Sequence, residues 1–457
     1  MNRVTRRVWI MALFIAVLIA GTGFFVGEYM VNSDQWVIFT GSPHVYNASN
    51  IGLGSVTDRD GKLLLDITDT RTYAKEEAVR KSTLHWLGDR EGFINAPAIS
   101  HYAQEMSGFD HLNGIYAYGG AGGQASLTIS APVQVAALEA MGERKGTVAV
   151  YNYRTGEILC AVTTPTYDPD HIPDISADDT GAFQGIYLNR FVQSAYIPGS
   201  IFKVVTAAAA LDCIPDILQQ RFECRGKVEY GVDRVTCERA HGTLDLPSAL
   251  ARSCNCTFAQ IAQQIGPERM MEYVERFGVT DRICFDGVTT ASGNYDVTDA
   301  AAVELAWSCI GQYTDQINPC AFMTFMGAIA GDGQAARPYL VSEIRADGQL
   351  TYQAQAEMME SVMDAEIAQL LQAYMRNNVE SVYGAEHFPG MTVCAKSGTS
   401  QLGGDQISNS MFAGFLTDEE YPLAFIVVVE NGGYGSSTCV PVLSKVLAEC
   451  KRVMDEI

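Results

Sequence analysis

Basic side chains are scarce in this chain of 457 residues, which has 31 Lys and Arg against 53 Asp and Glu and a formal net charge of −22. Nucleic-acid phosphates are bound by clustered Lys and Arg, so this composition argues against a nucleic-acid partner. With 47% hydrophobic and 18% charged residues, the chain is globular rather than disordered. Its length exceeds what one hydrophobic core usually serves, so we expect a large domain and a smaller one.

Paired C-x-x-C motifs, which are typical of zinc sites, are also missing among the 12 cysteines. The nearest approach is Cys254–Cys256, and because it lacks ligand spacing we expect no metal and no cofactor. Cys224 and Cys237 instead stand at the two ends of a short polar segment. In an exported protein such a pair favours a disulfide-closed hairpin, and we treat the two as a candidate disulfide.

One long apolar run lies at the N-terminus, from Val8 to Val26, with Thr22 as its one polar residue and three arginines before it. A run of about twenty residues spans a bilayer as a helix, and preceding arginines stay cytoplasmic. We therefore predict a cytoplasmic tail at 1–7, a transmembrane helix at 8–26 and an extracytoplasmic remainder. The alternative is a cleaved signal peptide, whose apolar core is usually only about 7–15 residues long.

The remainder divides into two predicted domains. Residues 27–124 form a small membrane-proximal domain that contains a hairpin around Asp60-Gly61 and ends in a glycine-rich stretch at 118–124. Residues 125–457 form one large domain. Its strand signals are a hairpin turning at 154–156 and three runs at 391–400, 409–416 and 421–430; its helix signals include 256–266 and 439–454. One sheet built from both ends of this domain, with helices between, is an α+β fold.

Three polar motifs stand in this large domain. In Ser-Ile-Phe-Lys, Ser200 and Lys203 lie one helical turn apart among apolar residues, so a desolvated amine can serve as the base for a serine nucleophile. The alternative is a helix-capping serine beside a lysine that extends to solvent. In Ser-Cys-Asn, Ser253 and Asn255 point to one side of an extended loop, unless they are a cap and a turn residue.

The third motif is Lys-Ser-Gly-Thr, residues 396–399, in a predicted strand. Ser397 and Thr399 share one side and can bind a carboxylate, and Gly398 is typical of close approach by another backbone. Simple alternation places Lys396 on the opposite side, so its ammonium has to bend around the strand edge. The alternative is an ordinary strand that runs into a turn.

Together and in this order, the three motifs resemble the S-x-x-K, S-D-N and K-T-G set of the serine β-lactamases and penicillin-binding proteins. The similarity covers residues 125–457 and is to class B penicillin-binding proteins, which are monofunctional peptidoglycan D,D-transpeptidases. The resemblance implies a five-stranded, mainly antiparallel sheet flanked by helices. The segment at 27–124 then corresponds in position to the pedestal domain of the family.

The resemblance also implies roles for the motif residues. Ser200 is the nucleophile, Lys203 its general base, Ser253 the relay to the leaving amine, and Asn255 a substrate ligand. Lys396 adds positive potential, and Ser397, Gly398 and Thr399 hold the substrate carboxylate, with the backbone N–H groups of Ser200 and Thr399 as the oxyanion hole. The implied partners are peptidoglycan stem peptides, β-lactams, a separate glycan polymerase and other wall-synthesis membrane proteins.

Two further readings remain open from the sequence. The same fold and site serve β-lactam-hydrolysing enzymes and penicillin-sensing receptors, although no E-x-x-L-N-like segment lies between Asn255 and Lys396. A non-catalytic scaffold of wall synthesis is the other alternative, and it would not need the two lysines.

Overall fold

The computed structural model of the protein describes residues 3–37, 53–68, 70–107, 122–346, 348–400 and 407–456. Most of the glycine-rich stretch predicted at 118–124 lies outside these ranges. The α-helices within them are α1 Arg3–Val37, α2 Glu77–Leu87, α3 Pro97–His101, α4 Ala103–Ser107, α5 Ala131–Met141, α6 Arg190–Gln193, α7 Lys203–Cys213, α8 Leu246–Ala251, α9 Asn255–Ile265, α10 Pro267–Arg276, α11 Ala302–Ser308, α12 Pro319–Ala330, α13 Ala365–Asn378 and α14 Gly435–Asp455.

The strands within the same ranges are β1 Gly54–Thr57, β2 Leu63–Ile67, β3 Thr72–Tyr73, β4 Gly123–Leu127, β5 Gly146–Asn152, β6 Ile158–Thr164, β7 Phe222–Cys224, β8 Lys227–Tyr230, β9 Asp233–Thr236, β10 Gly242–Leu244, β11 Cys284–Phe285, β12 Val288–Thr289, β13 Val341–Ala346, β14 Gln349–Gln353, β15 Val393–Ser400, β16 Asn409–Leu416 and β17 Leu423–Val429.

Helix α1 contains the predicted membrane-spanning run. Its segment Arg3–Asn32 is long and apolar enough to cross a bilayer, and it is not buried against the rest of the described chain. The helix is longer than the predicted span at 8–26, because the polar residues that follow continue the same helix. Helix α1 is therefore a candidate membrane span, by length and composition.

The first sheet, which contains strands of the segment predicted to be membrane-proximal, has six strands in the order β14-β13-β4-β1-β2-β3. The predicted hairpin around Asp60-Gly61 is confirmed, because β1 and β2 pair antiparallel on either side of it. The boundary predicted between residues 124 and 125 falls inside β4, which lies parallel to β1. Strands β13 and β14, more than two hundred residues later in the sequence, complete the sheet, so it takes strands from both sides of that boundary.

The second sheet has five antiparallel strands in the order β15-β16-β17-β5-β6. Strands β5 and β6 form the predicted hairpin, and the three predicted C-terminal strands are β15, β16 and β17. The α+β prediction and the five-stranded sheet built from distant segments are thus confirmed. Strand β15 lies at one end of the sheet order, which leaves its outer edge available to the active site.

Helices cover both faces of this sheet. Alternate residues of β17 show the division: Phe425 and Val427 pack in a cluster with α5 and α14, whereas Ile426 and Val428 belong to the larger cluster that contains α7 and α12. Every residue of β17 is buried, because side chains on both faces meet apolar partners. This two-sided packing fixes the register of the sheet, since a one-residue slip would exchange its faces.

The two predicted helices of the large domain are confirmed. Helix α9 matches the prediction at 256–266 to within one residue at each end. Helix α14 begins at Gly435, four residues before the predicted Cys439. Its first turn carries small and polar residues, which gave no apolar periodicity in the sequence, and its predicted stripe is fully buried at Leu443, Val446, Leu447 and Cys450.

Candidate active site

Ser200 lies in the turn that leads into α7. Residues Gly199–Phe202 form a 3-10 turn and α7 follows at Lys203, which confirms the predicted helix start. Lys203 Nζ lies 2.7 Å from Ser200 Oγ. The N-cap positions of the 3-10 turn and of α7 are Pro198 and Phe202, so Ser200 is the capping residue of neither. The serine therefore contacts the lysine rather than capping the helix.

Lys203 is fully buried, with a relative exposure of 0%. Its Nζ also lies 3.1 Å from Ser253 Oγ and 2.7 Å from Asn255 Oδ1. The prediction of a buried amine directed at Ser200 and Ser253 is confirmed, and the alternative of a lysine that extends to solvent is wrong. Burial, and after it the positive charge of Lys396, holds the pKa of Lys203 well below its ordinary value. A lysine in this state can accept the proton of a serine hydroxyl.

Ser253 lies in the loop that joins α8 to α9, and Asn255 is the first residue of α9. Both side chains reach Lys203 Nζ, which confirms that they point to one side. Ser253 has a φ of 50°, in the left-handed region that serine rarely adopts. The Asn255 amide donates to the Thr236 carbonyl at 2.8 Å and so ties this loop to the end of β9. A strained backbone that surrounding contacts hold in place is typical of functional sites.

The Lys396 ammonium bends around the edge of β15, as the sequence required for it to reach the side of Ser397 and Thr399. Lys396 is fully buried, and its Nζ bends back along the strand to lie 2.8 Å from the Ser397 carbonyl oxygen and 3.2 Å from Ser253 Oγ. Burial lowers the pKa of Lys396 to about 7. Ser253 Oγ thus lies between the two buried amines.

Tyr383 is a site residue that the sequence analysis missed. It ends a π-helical turn, Val379–Tyr383, that continues α13. Its hydroxyl lies 3.3 Å from Lys396 Nζ, 3.1 Å from Ser397 N and 3.0 Å from Ser397 Oγ. No motif surrounds Tyr383 in the sequence, and it is brought to the edge of β15 by tertiary packing alone.

Two glycines allow the turn Gly199–Phe202, which carries Ser200, to approach β15. A Cβ at Gly398 would lie 2.8 Å from the Pro198 carbonyl oxygen, and one at Gly199, whose φ is 56°, would lie 2.7 Å from the Thr399 carbonyl oxygen. The predicted close approach at Gly398 is confirmed, and the approaching backbone is the chain's own turn at Ser200. Because these segments touch, the backbone amides of Ser200 and Thr399 belong to one small region, as a shared oxyanion hole requires.

A cleft of about 400 Å³ opens above these groups. Ser200, Ser253, Asn255, Ser397 and Thr399 all line it, as the motif analysis predicted for a single pocket. The two lysines lie beneath its floor. The other lining residues are Thr236, Cys237, Glu238, His241, Arg252, Trp307, Ile310, Gln312 and Tyr434.

The structure does not contain the candidate disulfide. Strands β8 and β9 form the predicted hairpin, but Cys224 Sγ and Cys237 Sγ are 3.8 Å apart, whereas a disulfide requires about 2.05 Å. The physical reason is that His241 and Cys254 join the same cluster, so that four candidate metal ligands lie within 4.8 Å of one another. The spacing rule applied to the sequence missed this group, because its members come from three separate segments.

The fold and the geometry are those of a candidate acyl-transfer enzyme. A serine hydroxyl lies beside a buried lysine, a second serine bridges two lysines, and an edge strand with two hydroxyls closes the cleft. The comparisons agree with this class. The penicillin-binding protein transpeptidase domain model matches residues 146–448, and the chain therefore belongs to this family; the predicted class B membership is confirmed.

Named relatives and solved structures extend the comparison. Peptidoglycan D,D-transpeptidase PbpA of Mycolicibacterium smegmatis is 28% identical over 340 residues, which cover 68% of each chain. Stage V sporulation protein D of Bacillus subtilis is 25% identical over 328 residues, or 68% of this chain and 50% of that one. The ceftriaxone acyl-enzyme of penicillin-binding protein A from Mycobacterium tuberculosis superposes with a TM-score of 0.75 at 24% identity, covering 87% of this chain and 97% of that one. At this identity the structural likeness establishes the fold.

Proposed function

We propose that this protein is a peptidoglycan D,D-transpeptidase that cross-links stem peptides through an acyl-enzyme on Ser200 and is acylated there by β-lactams. Family membership and the names of the relatives support this function. The observation that carries the residue assignment is the 2.7 Å contact between Ser200 Oγ and the buried Lys203 Nζ.

In the acylation step, Ser200 Oγ attacks the carbonyl carbon between the two terminal D-alanines of a stem peptide. Lys203, as a neutral amine, takes the hydroxyl proton, and the amides of Ser200 and Thr399 bind the oxyanion. The proton then passes through Ser253 Oγ to the leaving nitrogen. The peptide C–N bond breaks, D-alanine departs, and an ester joins the remaining peptide to Ser200.

In the second step, an amine of a neighbouring stem attacks the ester carbonyl. The new amide forms as the ester C–O bond to Ser200 breaks, and Lys203 takes the amine proton and passes it to Ser200 Oγ, which restores the hydroxyl. Ser397 and Thr399, which line the cleft, hold the terminal carboxylate during acylation, and the buried Lys396 adds positive potential from beneath the cleft floor. Asn255 holds the substrate backbone.

The membrane arrangement belongs to the same proposal. Helix α1 anchors the protein with residues 1–7 in the cytoplasm, and the six-stranded sheet, next to the membrane, supports the transpeptidase domain outside. A separate glycan polymerase supplies the glycan strands that carry the stem peptides. Other wall-synthesis membrane proteins are expected partners.

The test is intact-mass measurement of the full chain in detergent with and without a penicillin. The wild type is expected to gain one stable adduct, Ser200→Ala none, and Ser176→Ala, at an exposed serine in a surface turn, one adduct as in the wild type. A Ser200→Ala protein that still forms the adduct would refute the nucleophile. Rapid release of the adduct would instead indicate a β-lactam-hydrolysing enzyme. If Ser200→Ala lost the penicillin adduct but kept the cellular role of the protein, the alternative of a non-catalytic wall-synthesis scaffold would be favoured.

A further inference from the structure

Four side chains of metal-ligating type meet at one wall of the active-site cleft, which Cys237 and His241 line. Cys224 ends β7, Cys237 follows β9, His241 precedes β10, and Cys254 stands between Ser253 and Asn255 in the second motif. All four ligand atoms lie within 4.8 Å of one another. Cys224 and Cys254 are buried, and the other two are half-buried. Three chain segments therefore supply one compact group of three thiols and an imidazole.

Three of the six distances among these ligand atoms fit a tetrahedral ion. Around Zn²⁺, with bonds of about 2.3 Å to sulfur and 2.0–2.1 Å to nitrogen, tetrahedral geometry separates two sulfurs by about 3.8 Å and a sulfur from a nitrogen by about 3.5 Å. The Cys224–Cys237 and Cys237–Cys254 sulfur pairs are both 3.8 Å apart. Cys224 Sγ lies 3.5 Å from His241 Nδ1. These distances match the edges of a tetrahedral site rather than a disulfide.

Neighbouring groups donate hydrogen bonds to two of the three sulfurs. The amide and the hydroxyl of Thr257 both donate to Cys254 Sγ, at 3.4 and 3.3 Å. The amide of Cys256 donates to Cys237 Sγ at 3.3 Å. Hydrogen bonds to the ligand atoms are the usual second layer of a metal site, because they orient the ligands and stabilise their charge.

We propose that Cys224 Sγ, Cys237 Sγ, His241 Nδ1 and Cys254 Sγ bind one Zn²⁺ ion. Three cysteines and one histidine form a closed set of the kind that serves structural zinc. On binding, the three thiols release their protons to solvent and the imidazole binds in its neutral form, so that no oxidation or reduction occurs. The ion is held in the wall of the cleft and takes no part in the bond changes at Ser200.

The site positions the second motif. Cys254 lies between Ser253, whose backbone is strained, and Asn255; both neighbours contact Lys203 Nζ. A metal–thiolate bond at Cys254 would fix this loop against Cys237 and the hairpin, where the Asn255 amide already contacts the Thr236 carbonyl. This catalytic consequence rests on the proposed function; the binding of zinc does not.

The first experiment measures metal in the full chain purified in detergent without chelators or added metal. We expect about one zinc per chain, and less than about a tenth of that in the Cys224→Ser/His241→Gln double variant. Cys284→Ser is the matched control, because Cys284 is exposed and lies outside the cluster. It should keep the full zinc content. A zinc-free wild type that also fails to take up Zn²⁺ would overturn the proposal, as would zinc retained by the double variant.

A second measurement does not depend on whether the variants fold. Wild-type protein stripped with a chelator and reloaded with Co²⁺ should show the intense visible bands and thiolate charge-transfer absorption of a tetrahedral cobalt–thiolate site. A cobalt spectrum without thiolate bands would overturn the proposal. So would intact mass showing the loss of two hydrogens in freshly purified protein, with the Cys224–Cys237 disulfide found by peptide mapping.

Acylation by a fluorescent penicillin tests the positioning role. Removal of zinc should slow acylation about tenfold or more, and Zn²⁺ should restore it. Ser200→Ala should keep its zinc while losing the penicillin adduct, so the two proposals fail separately. Zinc binding with no effect of its removal on the acylation rate would refute the positioning role.

Discussion

Lys396→Met is expected to slow the acylation of Ser200 at neutral and acidic pH, and to act through Lys203. The substitution keeps much of the side-chain length and removes the ammonium. Each lysine Nζ lies close to Ser253 Oγ, at 3.1 Å for Lys203 and 3.2 Å for Lys396, so the two nitrogens are at most about 6 Å apart. A positive charge on Lys396 therefore opposes protonation of Lys203.

The magnitude follows from this separation. Two unit charges about 6 Å apart repel by about 3 kcal/mol at an effective dielectric constant of about 20, which corresponds to about a hundredfold in the protonation equilibrium of Lys203. Because only the neutral amine accepts the Ser200 proton, the acylation rate should fall by up to about a hundredfold where Lys203 becomes protonated. The pKa of Lys396 is lowered to about 7, so wild-type Lys396 is charged below that pH and loses its charge above it. The deficit should thus be largest below about pH 7 and shrink as the pH rises.

The assay is the second-order rate constant for acylation by a fluorescent penicillin, measured at several pH values. Lys445→Met, at an exposed lysine on α14, is the matched control and should follow the wild type throughout. A deficit of equal size at every pH would refute the reasoning, because Lys396 would then contribute only carboxylate binding. The stability of both variants is checked by thermal unfolding under the same conditions.

Three further changes have outcomes that the geometry sets. Tyr383→Phe removes a hydroxyl that contacts Lys396 Nζ and Ser397, so acylation should fall about tenfold and unfolding free energy by about 1 kcal/mol; an unchanged acylation rate would contradict the role. Gly398→Ala places a Cβ 2.8 Å from the Pro198 carbonyl oxygen, so β15 must move away from the turn at Ser200. The penicillin adduct should then form at least about a hundredfold more slowly. Wild-type kinetics would show that the close contact between Gly398 and this turn is not needed for acylation. Leu443→Ala opens a cavity beneath the five-stranded sheet and should lower the free energy of unfolding by about 3 kcal/mol, measured by denaturant titration, while leaving the acylation rate of the folded protein unchanged.

The sequence predicted the parts of the site in which the side-chain positions follow from the local geometry of a single segment. Ser200 and Lys203 lie on one helical turn, and Ser253 and Asn255 on one side of a loop, because side-chain spacing within a segment is set by its backbone. Contacts between segments had no such signal. Tyr383 reaches Lys396 only through the end of α13.

The cysteine cluster and the six-stranded sheet also depend on contacts between distant segments, which the sequence did not predict. Cys224, Cys237, His241 and Cys254 have no ligand spacing in the sequence, and they meet because the β8–β9 hairpin folds onto the start of α9. Strand β4 was divided by the predicted boundary because its partners β13 and β14 follow it by more than two hundred residues. The glycine-rich composition near Gly123 was the basis of the predicted boundary, and it carries no information on which strands will pair.

Burial of the two lysines is the origin both of the reactivity of the site and of its dependence on a few contacts. Lys203 and Lys396 are useful because they are buried, and burial is what lowers their pKa values. The same burial leaves both amines dependent on a few oxygen atoms, of which Ser253 Oγ serves both. That oxygen belongs to a residue with a strained backbone. The second motif therefore depends on surrounding contacts more than the other parts of the site do. The restraint on Cys254, one residue further along the chain, is accordingly expected to affect the rate of acylation more than the stability of the fold.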